Sequence, residues 1–199
     1  MSDHYRTIAA RCEFKHRIER SEFLGIAFPI ADEEGFFVEL HAIEKRFFDA
    51  THHCWAFRLR SGDDVRARSS DAGEPSGTAG KPILSAVEGA DLHDVGMVVV
   101  RWYGGIKLGT GGLSRVYRET AAEALRIAQP LDRYVYVRFT VVAPFDALGT
   151  IYRFVNPPDV VLAGERYGET NEFEFHVRQS RVADFERSLA ERRLPFVIV

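Results

Sequence analysis

A glycine-rich segment between an apolar run and an amphipathic run constrains this chain more than any other feature. The pattern predicts a buried strand over Val95–Val100 and a helix over Leu113–Ala128. The segment between them contains five glycines, and no Asp or Glu occurs from Val95 to Arg118. Its cations are Arg101, Lys107, Arg115 and Arg118. Because bare amides at a helix N-terminus attract anions, the segment predicts a surface that binds phosphate.

The overall charge excludes a strongly basic nucleic-acid binder. The 199 residues carry 26 Lys and Arg against 29 Asp and Glu, a formal net charge of −3. Any nucleic-acid contact is therefore expected to be local. Two cysteines are too few for a disulfide framework and favour a reducing compartment. The sequence lacks an apolar leader and any run of about 20 apolar residues. We therefore expect a cytoplasmic protein that needs no membrane and no cofactor, with the oligomeric state left open.

The residues before the glycine-rich segment predict a mixed α/β domain. The apolar residues of the first helix recur at i, i+4, i+7 and i+11, which is one face of a helix. A turn is expected at residues 62–64, and Pro82 and Gly89 mark the start and end of a short helix. The predicted elements are a strand at 23–30, a helix at 34–49, strands at 52–60 and 65–68, the helix from Pro82, and the strand at 95–102.

The residues after Pro130 predict a second, smaller domain with the order βαββαβ. That order is the ferredoxin-like pattern. The expected strands are 135–143, 160–167, 172–177 and 195–199, and the expected helices are 146–154 and 180–193, the latter capped by Ser180. We expect an α+β protein with two domains, 1–132 and 133–199.

Candidate anion-binding residues are concentrated in the glycine-rich segment and in the loop before Pro82. If these loops lie side by side, Lys81 joins Arg101 and Lys107 in one cationic rim. Tight packing of a strand-to-helix crossover is the alternative explanation for the glycines. The full set of predicted anion-binding residues is Ser76, Thr78, Lys81, Arg101, Gly104, Gly105, Lys107, Gly109, Thr110, Gly111, Gly112, Ser114, Arg115 and Arg118.

Catalytic and stacking roles have fewer candidates. Asp71 and Glu74 are the residues that best suit a general base, although a turn in which Asp71 bonds its own backbone explains the loop equally well. We expect no catalytic residue beyond these two, and the sequence favours a protein that is not an enzyme. Trp102 and Tyr103 are the candidates for stacking on exposed bases.

Two further groups are better explained by ordinary structure. His52 and Cys54 share one strand face while His53 points away, and no second cluster completes a metal site, so we predict no metal. Cys54 is expected to be a small buried side chain. Four arginines on the strands around residues 62–64 form either a basic stripe or a solvated sheet face: Arg58, Arg60, Arg66 and Arg68.

Three segments together resemble one known family. They are residues 50–58 (ATHHCWAFR), residues 70–84 (SDAGEPSGTAGKPIL) and residues 101–117, which hold the glycines. The chain is similar to the IMPACT/YigZ family, and most similar to its bacterial YigZ-like branch. Two positions depart from the family pattern: Ala72 replaces an Asp, which argues against a paired-carboxylate role, and Glu22 replaces an Arg.

The resemblance implies a fold and a setting. The N-terminal domain is expected to have the left-handed βαβ fold of the second domain of ribosomal protein S-five, also found in domain IV of elongation factor G. The C-terminal domain is expected to resemble domain V of that factor. Eukaryotic relatives regulate translation by binding a ribosome-associated activator of the starvation kinase, and no established reaction comes with the family.

These observations favour a non-catalytic protein that binds RNA or the ribosome and regulates translation. A translation-associated protein partner is a further expectation. The alternative is an enzyme or sensor that binds a small phosphorylated ligand or nucleotide at the glycine-rich segment.

Overall fold

The computed structural model describes residues 3–61 and 64–199, so the turn expected at residues 62–64 lies largely outside it. The chain divides into two compact units, which we call the first unit (residues 6–132) and the second unit (residues 3–5 and 133–199). The helices are α1 (Glu33–Arg46), α2 (Gly80–Gly89), α3 (Gly109–Ile127), α4 (Leu148–Arg153) and α5 (Val182–Glu191). The strands are β1 (His4–Ile8), β2 (Cys12–Ile18), β3 (Ser21–Pro29), β4 (His52–Ser61), β5 (Asp64–Ser70), β6 (Val95–Trp102), β7 (Pro130–Tyr134), β8 (Tyr136–Ala143), β9 (Val160–Arg166), β10 (Asn171–Arg178) and β11 (Phe196–Ile198).

The first unit is built on a five-stranded antiparallel sheet with the order β2-β3-β6-β4-β5. β6 pairs with β3 on one side and β4 on the other, and all of its residues from Val95 to Arg101 are buried. Helices α2 and α3 cover one face of the sheet, where Tyr117 and Phe23 pack at the centre. Helix α1 covers the opposite face, where Phe36 packs against Phe57. Burial on both faces explains why β6 is a continuous apolar run.

The second unit is a four-stranded antiparallel sheet with the order β11-β8-β10-β9. Its elements follow the expected βαββαβ sequence, and helices α4 and α5 contribute Ile151, Phe185 and Leu189 to its core. Short 3-10 turns precede both helices. The protein is therefore a two-domain α+β protein, as the sequence predicts.

The N-terminal residues 3–5 belong to the second unit, although the sequence assigned them to the first domain. Asp3 is buried and accepts hydrogen bonds from Arg178 at 2.7 Å and from the Ser180 hydroxyl at 2.6 Å. The bonds from Arg178 hold the pKa of Asp3 well below its ordinary value, despite the opposing effect of burial. Ser180 was expected to cap α5, but its hydroxyl bonds Asp3 instead and the helix begins at Val182.

Several elements differ from the sequence-based expectation. Strands β1, β2 and β7 were not predicted, and β1 pairs with β7 in a separate two-stranded sheet. Helix α3 begins at Gly109 rather than Leu113, so it includes three of the segment's glycines. Within the described residues, every helix is too short or too polar to cross a lipid bilayer.

Candidate nucleic-acid interface

The loop between β5 and α2 is held by the side chain of Asp71. Its carboxylate accepts hydrogen bonds from three backbone amides, those of Gly77 at 2.7 Å, Ala79 at 2.9 Å and Gly80 at 2.8 Å. Gly80 itself is packed against the backbone of Ser70, which a Cβ would approach to 2.7 Å. The N-terminus of α2 is thus capped from a distance by a carboxylate of the preceding loop.

These bonds change the interpretation of Asp71. Burial raises the pKa of this carboxyl, but the three amide bonds and the nearby Lys81 outweigh it and leave the pKa below its ordinary value. Three of the roughly four lone-pair sites of the carboxylate accept bonds from these amides, so the suggestion of a general base is corrected to a structural role. Thr78 is likewise buried and bonds the carbonyl of Pro75 at 2.7 Å, whereas Ser76 is exposed.

Glu74 of the same loop is the centre of a buried polar network. Its carboxylate is 2.5 Å from the guanidinium of Arg101 and 2.7 Å from the hydroxyl of Tyr117. Cys54 lies 3.4 Å from that hydroxyl, and its thiol donates to the carbonyl of Asp71 at 2.9 Å. Burial raises the pKa of Cys54 to about 12 and raises that of Tyr117 far above its ordinary value. The network ties β4, β6, α3 and the loop together.

Arg101 therefore does not belong to a cationic rim. It is only 4% exposed and its charge is paired with Glu74, so the prediction that it binds an external anion is wrong. The catalytic suggestion for Glu74 fails for the same reason, because its carboxylate neutralises a buried guanidinium. No acid lies near Arg101 in the sequence, because its partner comes from the loop between β5 and α2, 27 residues away.

The start of the glycine-rich segment is packed against the β2–β3 turn. The amide of Gly104 donates to the hydroxyl of Ser21 at 3.1 Å, and a Cβ at this glycine would collide with the backbone of Arg20. The amide of Tyr103 donates to Thr51 at 3.0 Å. These amides are engaged within the protein, so the predicted anion-binding role of Gly104 is corrected to close packing.

The two predicted stacking residues differ in exposure, because Trp102 is partly buried and Tyr103 is exposed. The indole of Trp102 packs edge-on against Phe47 and donates to Asp49 at 3.0 Å. Tyr103 is 43% exposed, and the guanidinium of Arg101 lies 5.2 Å from the centre of its ring. Tyr103 therefore offers an exposed ring beside the segment, whereas Trp102 is partly buried and packs against the hydrophobic cluster beneath α1.

The remainder of the segment is open to solvent. Gly105 adopts a φ of +87° and Gly109 a φ of +69°, conformations that favour glycine. Lys107 is exposed, and Gly109, Thr110 and Gly111 form the exposed first turn of α3, with Gly112 partly covered. Among the residues that the structure describes, no side chain caps this helix N-terminus, and its first turn carries no acid.

Three exposed cations lie along the groove between α2 and α3. Lys81 lines one side, and Arg115 and Arg118 line the other, together with Ser114. The groove has a volume of about 750 Å³, and Glu119 is the one acidic residue among its described lining residues. Among the residues that the structure describes, no carboxylate lies within 4.0 Å of these three cations. We call Lys81, Ser114, Arg115 and Arg118 the basic groove.

The histidines of β4 and the exposed arginines of β5 have partners within the protein. His52 bonds the carbonyl of Ala72 at 2.9 Å, on the same side as Cys54, whereas His53 bonds the carbonyl of Phe47 on the other side. Across residues 3–61 and 64–199, no group of three His, Cys, Asp or Glu side chains is placed to hold a metal ion. The exposed strand arginines Arg66 and Arg68 form ion pairs with Glu33 of α1.

Sequence reasoning missed the role of one residue that organises the region and anticipated that of a second only in part. Tyr117 had been assigned to the core face of α3, but its buried hydroxyl links Glu74 to Cys54. Asp71 was considered for bonding its own loop, yet its capping of α2 required knowing that this helix begins at Gly80. A buried tyrosine on an apolar helix face is a usable signal, because its hydroxyl needs a partner.

Comparison with known proteins identifies the family. The profile of the Impact N-terminal domain matches residues 19–125, which is more than half of the chain. The IMPACT family member YvyE of Bacillus subtilis (strain 168) is 32% identical over 187 residues, covering 94% of this chain and 86% of that protein. The IMPACT family member YigZ of Escherichia coli (strain K12) is 30% identical over 184 residues, covering 92% and 90% respectively.

A solved structure extends the similarity to the whole chain. The crystal structure of a hypothetical protein matches with a TM-score of 0.71 and 27% sequence identity, and the match covers 100% of this chain and 98% of the other. The sequence resemblance noted above is therefore confirmed in both units. The chain belongs to the IMPACT family.

Proposed function

We propose that this protein binds RNA without catalysing a reaction, and that the contact surface is the basic groove with the neighbouring Lys107 and Tyr103. One observation carries the proposal: the cations of the groove are exposed, converge on one depression and have no ion pair within the described residues. Arg101, by contrast, is buried and its charge is already neutralised by Glu74.

Phosphate contacts explain why such a surface would be selective for RNA over neutral ligands. Each phosphate that a Lys or Arg neutralises releases condensed counterions, and this release drives binding. The net charge of −3 opposes general attraction to nucleic acid, so binding depends on the groove itself. The exposed first turn of α3 adds amides without a side-chain cap, and Tyr103 adds a ring for stacking.

Translation is the proposed setting. The resemblance to IMPACT relatives that regulate translation favours an RNA on or near the ribosome, and this step rests on analogy rather than on a contact. A protein partner in translation belongs to the same proposal. The alternative of an enzyme acting on a phosphorylated ligand has less support, because its candidate catalytic residues Asp71 and Glu74 are both bonded within the protein.

Binding of a small phosphorylated ligand remains the competing proposal for the same groove. A volume of about 750 Å³ is within the range of ligand pockets. The two proposals differ in the length of the ligand, because a nucleotide neutralises one cluster of cations while an RNA strand engages the groove and Lys107 together.

The test is a titration of the full chain with a fluorescent oligouridylate of about 12 nucleotides, at salt concentrations between about 50 and 200 mM. We expect log affinity to fall linearly with log salt, with a slope of about −0.7 per phosphate neutralised. Replacing Arg115 with Ala should weaken binding and make the slope shallower by about 0.7. Lys81→Ala and Arg118→Ala should act in the same way.

Arg17→Ala is the matched control. Arg17 is exposed on β2, whose alternate residues, such as His16, face α3, so its side chain lies on the other face of the sheet. This variant should leave affinity and slope unchanged. Affinity that does not respond to salt or to the three groove substitutions contradicts the proposal. Saturable binding of a mononucleotide that competes fully with the oligonucleotide favours the small-ligand alternative.

A further inference from the structure

Three exposed aromatic side chains are grouped in the second unit, and two of them bond one carboxylate. Phe145 is 70% exposed, Tyr152 is 46% exposed and Tyr167 is 48% exposed. Phe145 begins the 3-10 turn before α4, Tyr152 lies on α4, and Tyr167 follows β9, where Glu165 is located. We call these four residues the aromatic patch. Large aromatic side chains grouped on a surface mark an interaction site more often than single exposed ones do.

The patch is held together by hydrogen bonds through the carboxylate. Tyr167 donates to Oε2 of Glu165 at 2.7 Å, and Tyr152 donates to the same oxygen at 3.2 Å. The two tyrosine hydroxyls are 3.0 Å apart. The rings of Phe145 and Tyr167 lie 6.2 Å apart at an interplanar angle of 41°. The ring of Tyr167 also lies 6.0 Å from the ring of Phe173 of the core, in a T-shaped arrangement.

The charge around the patch is negative. No Lys, Arg or His of the described residues lies within 4.0 Å of the Glu165 carboxylate. The neighbouring Arg166 pairs with Glu172 at 3.2 Å instead. Between residues 165 and 174 the sequence has four acidic residues and one basic residue. An RNA phosphate would be repelled here, although bare rings alone would suit a base.

We propose that the aromatic patch binds an arginine side chain of a partner protein. A guanidinium stacks on exposed aromatic rings and donates to a carboxylate oxygen, here Oε1 of Glu165, which the two tyrosine hydroxyls do not bond, so one group satisfies both features of the patch. Lysine offers a compact charge without a planar face, and it fits this combination less well. The inference is independent of RNA binding, because the basic groove belongs to the first unit and the patch to the second.

The test is an NMR titration of the full chain with a short peptide of three arginines separated by glycines, in which the arginines are the charged side chains. We expect saturable shifts of the backbone amides at Phe145, Tyr152 and residues 165–168. The same peptide with citrulline in place of arginine keeps the shape without the charge and should produce no saturable shift. The lysine peptide should bind more weakly than the arginine peptide.

The variants separate the ring contribution from the charge contribution. Phe145→Ala and Glu165→Gln should each weaken binding by about two- to five-fold. Glu165→Gln retains an oxygen for the tyrosine hydroxyls, so the fold and the ring positions are preserved. Phe48→Ala removes a ring that is 84% exposed in the first unit, and Glu169→Gln removes a neighbouring charge. Both controls should leave the affinity unchanged.

Each alternative outcome overturns the proposal. Equal binding of the arginine and lysine peptides would show that the patch is only an acidic surface. Shifts of the same amides by oligouridylate, without an effect of the arginine peptide, would assign the rings to RNA. An absence of saturable shifts with any of the peptides would remove the site altogether.

Discussion

Replacing Asp71 with asparagine tests whether the loop before α2 is a structural cap rather than a catalytic site. Asparagine retains one oxygen for the amides of Ala79 and Gly80, but its NH₂ group faces the amide of Gly77. One charge-assisted bond is lost outright and two are weakened, and the site is half-buried. Since a hydrogen bond to a charged group contributes about 1.5–3 kcal/mol, we expect the free energy of unfolding to fall by about 2–3 kcal/mol.

The stability difference between the wild type and Asp71→Asn should depend on pH in a definite direction. The pKa of Asp71 is lower in the folded protein than its ordinary value of 3.8, so its contribution is fully present above that value. The contribution is lost as the pH falls below 3.8 and through the folded-state pKa. Asparagine does not titrate here. The difference in stability between the wild type and Asp71→Asn should therefore be large at neutral pH and shrink in acid.

Tryptophan fluorescence during urea unfolding is the appropriate measurement. The chain has two tryptophans, Trp55 and Trp102, and both lie in the first unit, so the signal reports on that unit alone. Asp32→Asn is the control, because Asp32 caps α1 through one exposed bond to Gly35 and asparagine caps helices as well as aspartate does. A loss below about 0.5 kcal/mol for Asp71→Asn at neutral pH, or a loss that persists in acid, refutes the reasoning.

Three further predictions concern the same unit. Glu74→Gln leaves the buried charge of Arg101 without a counter-charge, so it should lower the free energy of unfolding by about 3–5 kcal/mol in urea titration. A smaller loss than for Asp71→Asn would contradict the buried ion pair. Because the pKa of Cys54 is raised from 9.0 to about 12, its neutral thiol stabilises the fold below pH 9.0 and this contribution is lost between those values. Cys54→Ala should therefore flatten the alkaline fall in stability, which a thermal-unfolding series in pH would detect. Gly104→Ala should destabilise the unit, because a Cβ there collides with Arg20. Gly111→Ala has open space at its Cβ position and a helical backbone, so it should raise the free energy of unfolding by up to about 1 kcal/mol. Equal effects of the two substitutions would refute this contrast.

The strands and helices that pack against the core could be predicted from their periodicity. β6 and most of α3 are confirmed, because a buried strand is a continuous apolar run and a helix repeats its apolar residues on one face. β2 was missed even though Cys12, Phe14 and His16 alternate with charged residues, the pattern of a half-buried strand. The start of α3 was placed late, because glycines at 109–112 indicate a loop when read locally.

The candidate site was predictable only in part, and the reason is the range of the interactions. A local count of acids predicted that all cations near the glycines are unopposed, which is correct for Arg115 and Arg118 but wrong for Arg101. Its partner Glu74 lies in the loop that follows β5. The pairing depends on the antiparallel placement of β5 beside β4 and of β4 beside β6. The proximity of Lys81 to Arg115 follows from the packing of α2 on α3, which periodicity alone does not determine.

Ultraviolet crosslinking of the full chain to oligouridylate, followed by mass spectrometry of the protein fragments, tests the central claim most directly. The account predicts that crosslinked residues fall on the fragments containing Lys81 and residues 103–118, and that they diminish as salt is raised. Combined substitution of Lys81, Arg115 and Arg118 by alanine should remove them. Crosslinks confined to residues 133–199, or unaffected by the substitutions, would contradict the account.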